Sequence, residues 1–430
     1  MNNMISVIKR AFGTIVLAFQ GHIVVIHGDF SYQDALTKSI IYFLENFQLN
    51  IGPSRWKIVD LVGGYYDAGD NVKYGLPMAF TVTTLAWAAI AYHSQLQAAG
   101  ELENVRSAIS SLIYEVGDSL KDHECWTRPE NMKTPRTTSA EMASASILFC
   151  GTNRSYACQL LNKARLLFQF AKTHKGTYDG ECPFYCSFSG YQDELLWAAT
   201  WLYTATRRTT YLEFITEEAT TATVAEFSWD LKYAGVQILL SKFYIEGEKD
   251  LQNFKQQADG FVCSNLPQSP YHQVHASPGG LIHLSDGANS QYVTGTAFLF
   301  SDYLATHKQK VSCGNKQFDS ADLMAFAKQQ MEYLLGKNPR GKSYMVGLGT
   351  NLQLKLIVEV PLVPKMSLDK LVDCSMSFVS NSAIVGGADK YDNFDDRRSS
   401  SSMTEPTTYT NSLVGVLAKL AKHHARALIT

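Results

Sequence analysis

Charge of neither sign dominates this chain. Its 430 residues carry 38 Lys and Arg against 40 Asp and Glu, a formal net charge of −2. The basic footprint of a nucleic-acid-binding protein is therefore missing. No apolar stretch is long enough to span a bilayer. No run of Cys and His has the spacing of a zinc site, and no cofactor is expected. No linker divides the sequence and no fixed-period repeat runs through it. Segments with strand alternation are few and short. These absences leave one large folded unit whose partner is neutral or small, with no nucleic acid and no membrane.

What is present is apolar and aromatic. Hydrophobic residues make up 46% of the chain, with 22 Tyr, 22 Phe and 6 Trp, more aromatics than a core alone requires. Near the N-terminus, Lys9 and Arg10 precede apolar runs at residues 11–19 and 23–26, ending at Gly28. That order is the order of a secretory signal, so residues 1–28 are expected to be a targeting segment and 29–430 the mature domain. Eight cysteines suit an oxidising compartment, although the sequence cannot assign their pairs. Cys182 with Cys186 and Cys150 with Cys158 are local candidates. Asn153-Arg154-Ser155 is a glycosylation sequon, usable if the chain is secreted.

Helical periodicity dominates the rest. Residues 78–93, 102–113, 157–173, 193–207, 229–242, 291–307, 321–335 and 411–428 each carry apolar side chains at helical spacing. Long loops rich in Gly, Pro, Asp and aromatics separate them at 51–77, 116–139, 176–192, 259–290 and 336–410. Loops of that length inside a compact domain are usually functional. Helices joined alternately by short and long loops predict an all-α barrel whose long loops gather at one end and carry the site.

One such loop reads DLVGGYYDAGDNVKYG over residues 60–75. Asp67 and Asp70 stand three apart across Ala68-Gly69, with Tyr65, Tyr66 and Tyr74 around them. A bare DxxD is usually a turn or a helix cap. Among aromatics it is also what hydrolysis of a neutral polysaccharide needs, because a carboxylate can take a proton from water while ring faces stack on sugars.

Further segments decide between these readings. They are VGDSLKDHECWTRPENMKTPR (116–136), PFYCSFSGYQDELLW (183–197), FSWDLKYAG (227–235), QVHASPGGLIHLSDGANSQYVTGTAFL (273–299), YLLGKNPRGKSYMVGLG (333–349), IVGGADKYDNF (384–394) and TEPTTYTNS (404–412). In this order, and together with DAGD, they resemble glycoside hydrolase family 9, the plant secreted endo-β-1,4-glucanases. The resemblance runs from about Tyr32 to Ala421. It implies an (α/α)6 barrel with a long open cleft. It also implies a secreted monomer in the plant cell wall that hydrolyses internal β-1,4-glucosidic bonds of cellulose or related glucans with inversion. Asp70 falls on the family's catalytic base, Asp67 on its companion at the same water, and Glu405 on the general acid. Inversion needs one carboxylate to activate water and another, across the sugar, to protonate the leaving oxygen. His123, Trp126, Tyr191, Trp229, Asp230, Tyr292 and Asp396 fall in segments that line the family's cleft and are expected to contact sugar. Trp197 and Trp201, four apart in a helical pattern, are expected in the core.

The chain also departs from the family pattern. Where the family carries a His-His-Arg-Gly loop that grips the sugar, this sequence reads TNLQLKLIVEVPLVPKMSL, and no histidine lies between His307 and His423. Ser401 stands where the family has an aromatic four residues before the acid. Three regions look short: before Trp56, around Ser110–Tyr114 and after Thr137. These departures imply an alternative, a catalytically impaired glucan-binding relative on the same fold. A shifted frame offers another account of the loop. Leu356–Pro361 can be encoded by CTC-ATC-GTG-GAA-GTT-CCN, which in a neighbouring frame reads His-Arg-Gly-Ser-Ser.

Overall fold

A computed structural model describes residues 14–19, 22–27, 31–47, 74–110, 139–178, 182, 185–221, 223–303, 309–348, 382–397, 400–404 and 408–427. Within them the chain is overwhelmingly helical. The helices are α1 (Tyr32–Phe47), α2 (Gly75–Ala91), α3 (His93–Ala98), α4 (Leu102–Ser110), α5 (Ser139–Phe149), α6 (Arg154–Thr173), α7 (Gln192–Thr206), α8 (Thr209–Glu217), α9 (Tyr233–Glu246), α10 (Gln252–Asn265), α11 (Ser290–Asp302), α12 (Ser320–Leu334), a single turn α13 (Ser401–Thr404) and α14 (Leu413–Ala427).

Among the described residues, α2, α5, α7, α9, α11 and α14 form an inner ring. Packing contacts join α2 to α5, α5 to α7, α7 to α9, α11 to α14 and α14 back to α2. Between α9 and α11 the ring is closed by an ion pair of Lys242 with Asp302. Helices α1, α4, α6, α8, α10 and α12 lie outside, each against an inner neighbour. This is the (α/α)6 barrel that the sequence predicts.

The two layers differ in composition for a physical reason. An inner helix touches protein on every side, so it is apolar or small all round. In α2, GLPMAFTVTTLAWAAIA, residues 75–89 are all buried. Its threonines are satisfied locally: Thr81, Thr83 and Thr84 donate to the carbonyls of Pro77, Ala79 and Phe80 at 3.2, 2.6 and 2.8 Å. The outer α6 buries only one stripe, Ala157, Leu160, Ala164 and Phe168. It starts at Asn153, whose side chain accepts from the Tyr156 amide at 3.1 Å. The sequon asparagine is thus an exposed helix cap.

The barrel centre is an aromatic hub. The Trp87 ring lies 5.9 Å from Trp197, 6.0 Å from Trp201 and 4.9 Å from Phe298, mostly edge to face. Its indole N–H donates to Asp302 Oδ2 at 2.9 Å. Trp197 and Trp201 are indeed core residues, at 2% and 1% exposure.

Strands are confined to three short antiparallel hairpins among the described residues. Thr14–Phe19 (β1) pairs with His22–His27 (β2), so the N-terminal apolar runs lie side by side. His275–Ala276 (β3) pairs with Ile282–His283 (β4), and Val311–Cys313 (β5) with Lys316–Phe318 (β6). A disulfide between Cys263 and Cys313 fastens β5 to α10. Cys182 pairs with Cys186, as one local candidate has it. Cys150 and Cys158 do not pair with each other: both are exposed free thiols at the two sides of the α6 start. No described helix is long and apolar enough to cross a membrane.

Candidate active site

Of the residues singled out in the sequence, Asp67, Asp70, His123, Trp126 and Glu405 lie outside the described residues, as does the 349–381 segment. Their anchors are described. Asp70 stands five positions before Gly75, the first residue of α2, and Glu405 six positions before Asn411. Asn411 is fully buried against α2. Its Nδ2 donates to the Thr81 carbonyl at 3.0 Å and also bonds the Thr84 hydroxyl. Both carboxylate-bearing segments are therefore tethered to the same helix, each within about 20 Å of its tether by chain length alone.

From the start of α2 a line of rings leads to the next group. Tyr74, buried, lies 4.5 Å from the Tyr185 ring, and Tyr185 lies 4.9 Å edge-on from Trp229. Trp229 is 8% exposed, and Tyr185 is the more exposed of the two.

The loop bearing Tyr185 is laced to the one bearing Trp229 and Asp230. The Ser189 hydroxyl donates to the Asp230 carbonyl at 2.6 Å, and Asp193 Oδ2 accepts from the Lys232 amide at 2.8 Å. Lys232, 3% exposed, pairs through Nζ with Glu194 Oε1 at 2.8 Å and also bonds the Trp229 carbonyl. Tyr191 precedes α7, and its carbonyl caps the Leu195 amide.

Asp230 and Tyr292 come together here, joined by Glu226. Burial raises the Asp230 carboxyl above its ordinary range, opposed by the Ser189 amide and Lys232. Burial likewise raises Glu226, opposed by the Ser228 hydroxyl, which donates to Oε1 at 2.7 Å. The Tyr292 phenol is pushed up to about 12, first by burial and then by Glu226. Two carboxyls and a phenol held so close make a compact set of donors and acceptors for sugar hydroxyls. Glu226 is absent from the sequence-based set. The segment that carries the resemblance opens at Phe227, one residue too late, although a Glu four positions ahead of Asp230 was the available signal.

Asp396 sits elsewhere, exposed, with Lys342 Nζ at 2.5 Å from Oδ2. Lys342 also lies 5.3 Å from the Phe394 ring centre, which ties the 389–396 loop to the 333–348 segment. The loop is cross-linked to its neighbours. Asp392, with φ at +63°, accepts from the Gly279 amide and the Tyr333 hydroxyl, each at 2.6 Å. Beside the Glu194–Lys232 pair a cavity of about 210 Å³ opens among Leu76, Phe80, Phe168 and Trp197. Its walls are mostly apolar. No described group of His, Cys, Asp and Glu is arranged to hold a metal ion.

This architecture and these segments have counterparts in known proteins. Over 93% of its length the chain is 53% identical to endoglucanase 16 of Arabidopsis thaliana, covering 95% of that protein. Over 91% it is 51% identical to endoglucanase 8 of Oryza sativa subsp. japonica, covering 90% of that protein. The Arabidopsis alignment runs to 461 positions. Since 93% of the chain supplies about 400 of them, the relative carries about sixty residues where this chain has none, in keeping with the shortened regions. Among solved structures, the endoglucanase of the termite Nasutitermes takasagoensis superposes with a TM-score of 0.75 at 28% identity, over 92% of this chain and all of that one. Endoglucanase CelQ of Clostridium thermocellum, solved with cellotetraose, superposes at 0.73 with 26% identity, over 92% of this chain and 71% of that one. The description of glycosyl hydrolase family 9 matches residues 35–417, and the chain belongs to that family.

Proposed function

We propose that this protein is an endo-β-1,4-glucanase that hydrolyses internal bonds of cellulose or a related glucan with inversion. The observation that carries the reading is the 53% identity to a plant endoglucanase over nearly the whole chain, with DAGD and TEPTTYTN both intact. Asp70 is the base that draws a proton from water, and Asp67 holds the same water. Glu405 protonates the leaving oxygen. Glu405 must be protonated at working pH, which requires burial or neighbouring carboxylates. Asp70 must stay ionised, which hydrogen bonds to its charged form accomplish.

Asp230, Tyr292 and Glu226 accept and donate to sugar hydroxyls, with Tyr185 and Trp229 forming the adjoining aromatic wall. Tyr191 and Asp396 border the cleft from the loops before α7 and α13. His123 and Trp126 contribute from the 116–136 segment, where Trp126 stacks on a sugar. The apolar N-terminal segment, the disulfides and the sequon support secretion into the cell wall.

The test is release of reducing ends from carboxymethyl-cellulose by the purified chain, with Glu405→Gln and Asp70→Asn in parallel. Either substitution should lower turnover by about 10²-fold or more. A parent that binds glucan and releases no reducing ends overturns the reading. Activity that survives Glu405→Gln removes Glu405 as the acid.

A further inference from the structure

The segment that delivers Glu405 is clamped by backbone, and the clamp depends on a pair of glycines. Ser402 and Met403 lie three and two positions before Glu405. The Ser402 carbonyl accepts from the Ala288 amide at 3.0 Å, and the Met403 carbonyl from the Gly387 amide at 3.1 Å. The Ser290 amide, at the start of α11, donates to the Gly386 carbonyl at 2.9 Å. Thus the 386–387 segment, the start of α11 and the 400–404 turn are bound to one another.

Gly386 permits this approach. A Cβ placed there would lie 2.0 Å from the Ser402 carbonyl oxygen, a backbone atom that cannot rotate away. Gly387 has a different requirement: its φ is +95°, and a Cβ would meet the Ser290 hydroxyl at 2.6 Å. A side chain at Gly386 would push the 400–404 turn away, and one at Gly387 would press on Ser290 at the start of α11.

We infer that Gly386 is a positioning residue for the general acid, its missing side chain letting the turn that precedes Glu405 in the chain dock beside the start of α11. The inference rests on Glu405 being the acid. It predicts a specific defect. Proton donation matters when the leaving group is a sugar alkoxide and hardly at all when it is 2,4-dinitrophenolate, which departs without a proton. Water activation by Asp70 is needed in both cases.

The experiment compares parent, Gly386→Ala and Glu405→Gln on carboxymethyl-cellulose and on 2,4-dinitrophenyl β-cellobioside. Gly386→Ala should lose about 10- to 100-fold in kcat on the polymer, the scale of an ångström-sized misplacement, with KM little changed. It should retain most of its rate on the dinitrophenyl substrate, and the alkaline limb of its pH profile, which reports the acid, should shift. Equal losses on both substrates overturn the inference, as does full activity on the polymer. If Glu405→Gln shows no dependence on the leaving group, the assignment of the acid fails instead. Hydrogen exchange on the parent is independent of whether Gly386→Ala folds. The Ala288 and Gly387 amides should be protected well beyond exposed loop amides, and free exchange there overturns the clamp.

Discussion

Asn411 reaches back across almost the whole sequence to donate its side-chain amide to the Thr81 carbonyl at 3.0 Å. Both residues are fully buried. This bond joins the chain six positions past Glu405 to the helix that begins five positions after Asp70, the two residues proposed as acid and base. Asn411→Leu keeps comparable bulk and removes the donor. Stability in urea should fall by about 1–2 kcal/mol. Turnover on carboxymethyl-cellulose should fall at least about tenfold even where the fold is fully populated. Unchanged turnover would show that the tether has no bearing on catalysis.

Glu194 gives the barrel a pH dependence. Burial pushes its carboxyl from an ordinary 4.5 up to about 8, against the pull of Lys232 and with a further push from Asp193. The folded state therefore holds a proton that the unfolded state releases above 4.5. Stability from this group is complete below 4.5 and is lost as pH rises towards 8. Glu194→Gln keeps a hydrogen-bonding side chain and cannot titrate. Urea midpoints measured across this window should fall less steeply for the variant than for the parent; parallel slopes would exclude Glu194 as the source.

Cys263 and Cys313 are 50 positions apart, and their disulfide closes a loop of that length. Chain-entropy arguments give such a cross-link about 4 kcal/mol. The double variant Cys263→Ser with Cys313→Ser should unfold at clearly lower urea. Cys150 and Cys158 should be alkylated by iodoacetamide without denaturant, as peptide mapping will reveal, because both thiols are exposed and unpaired.

The missing His-Arg loop calls for a check of the coding sequence. If a shifted frame produced it, the codons for Leu356–Pro361 read CTC-ATC-GTG-GAA-GTT-CC. Any other codon for Ile357 or Val358 ends that explanation. In that case the loop is a genuine feature of the protein, and replacing it with the family's His-His-Arg-Gly should raise kcat/KM on carboxymethyl-cellulose.

The sequence made the barrel legible where helices have a polar side or a clear boundary. Residues 157–173, 193–207 and 321–335 match α6, α7 and α12 within a few positions. Helix α12 even opens on a capping box between Asp319 and Asp322. Six helices fall outside the predicted set: α1, α3, α5, α8, α10 and the single turn α13. Helix α5, SAEMASASILF, is buried on nearly every side, so small polar and apolar residues mix without a period. Helix α10 looks polar, yet it buries Lys255, Gln257 and Asn265 among its neighbours, where tertiary contacts override composition. The predicted 229–242 helix starts at Tyr233 instead, because Trp229 to Lys232 form the loop that binds Ser189, Asp193 and Glu194. Within the site, the resemblance to the family pointed to Asp230 and Tyr292. It could not show that Glu226 lies with them, since that proximity arises only when the loop before α9 packs near α11.

The aromatic hub around Trp87 has a consequence for how this lineage can change. Its members come from α2, α7, α11 and the loop before α9, all in the inner ring, and the Asp302 carboxylate locks Trp87 in place. The load is carried along the axis, not by the periphery. About sixty residues of a relative have no counterpart in this chain, and the central stack of rings is formed without them.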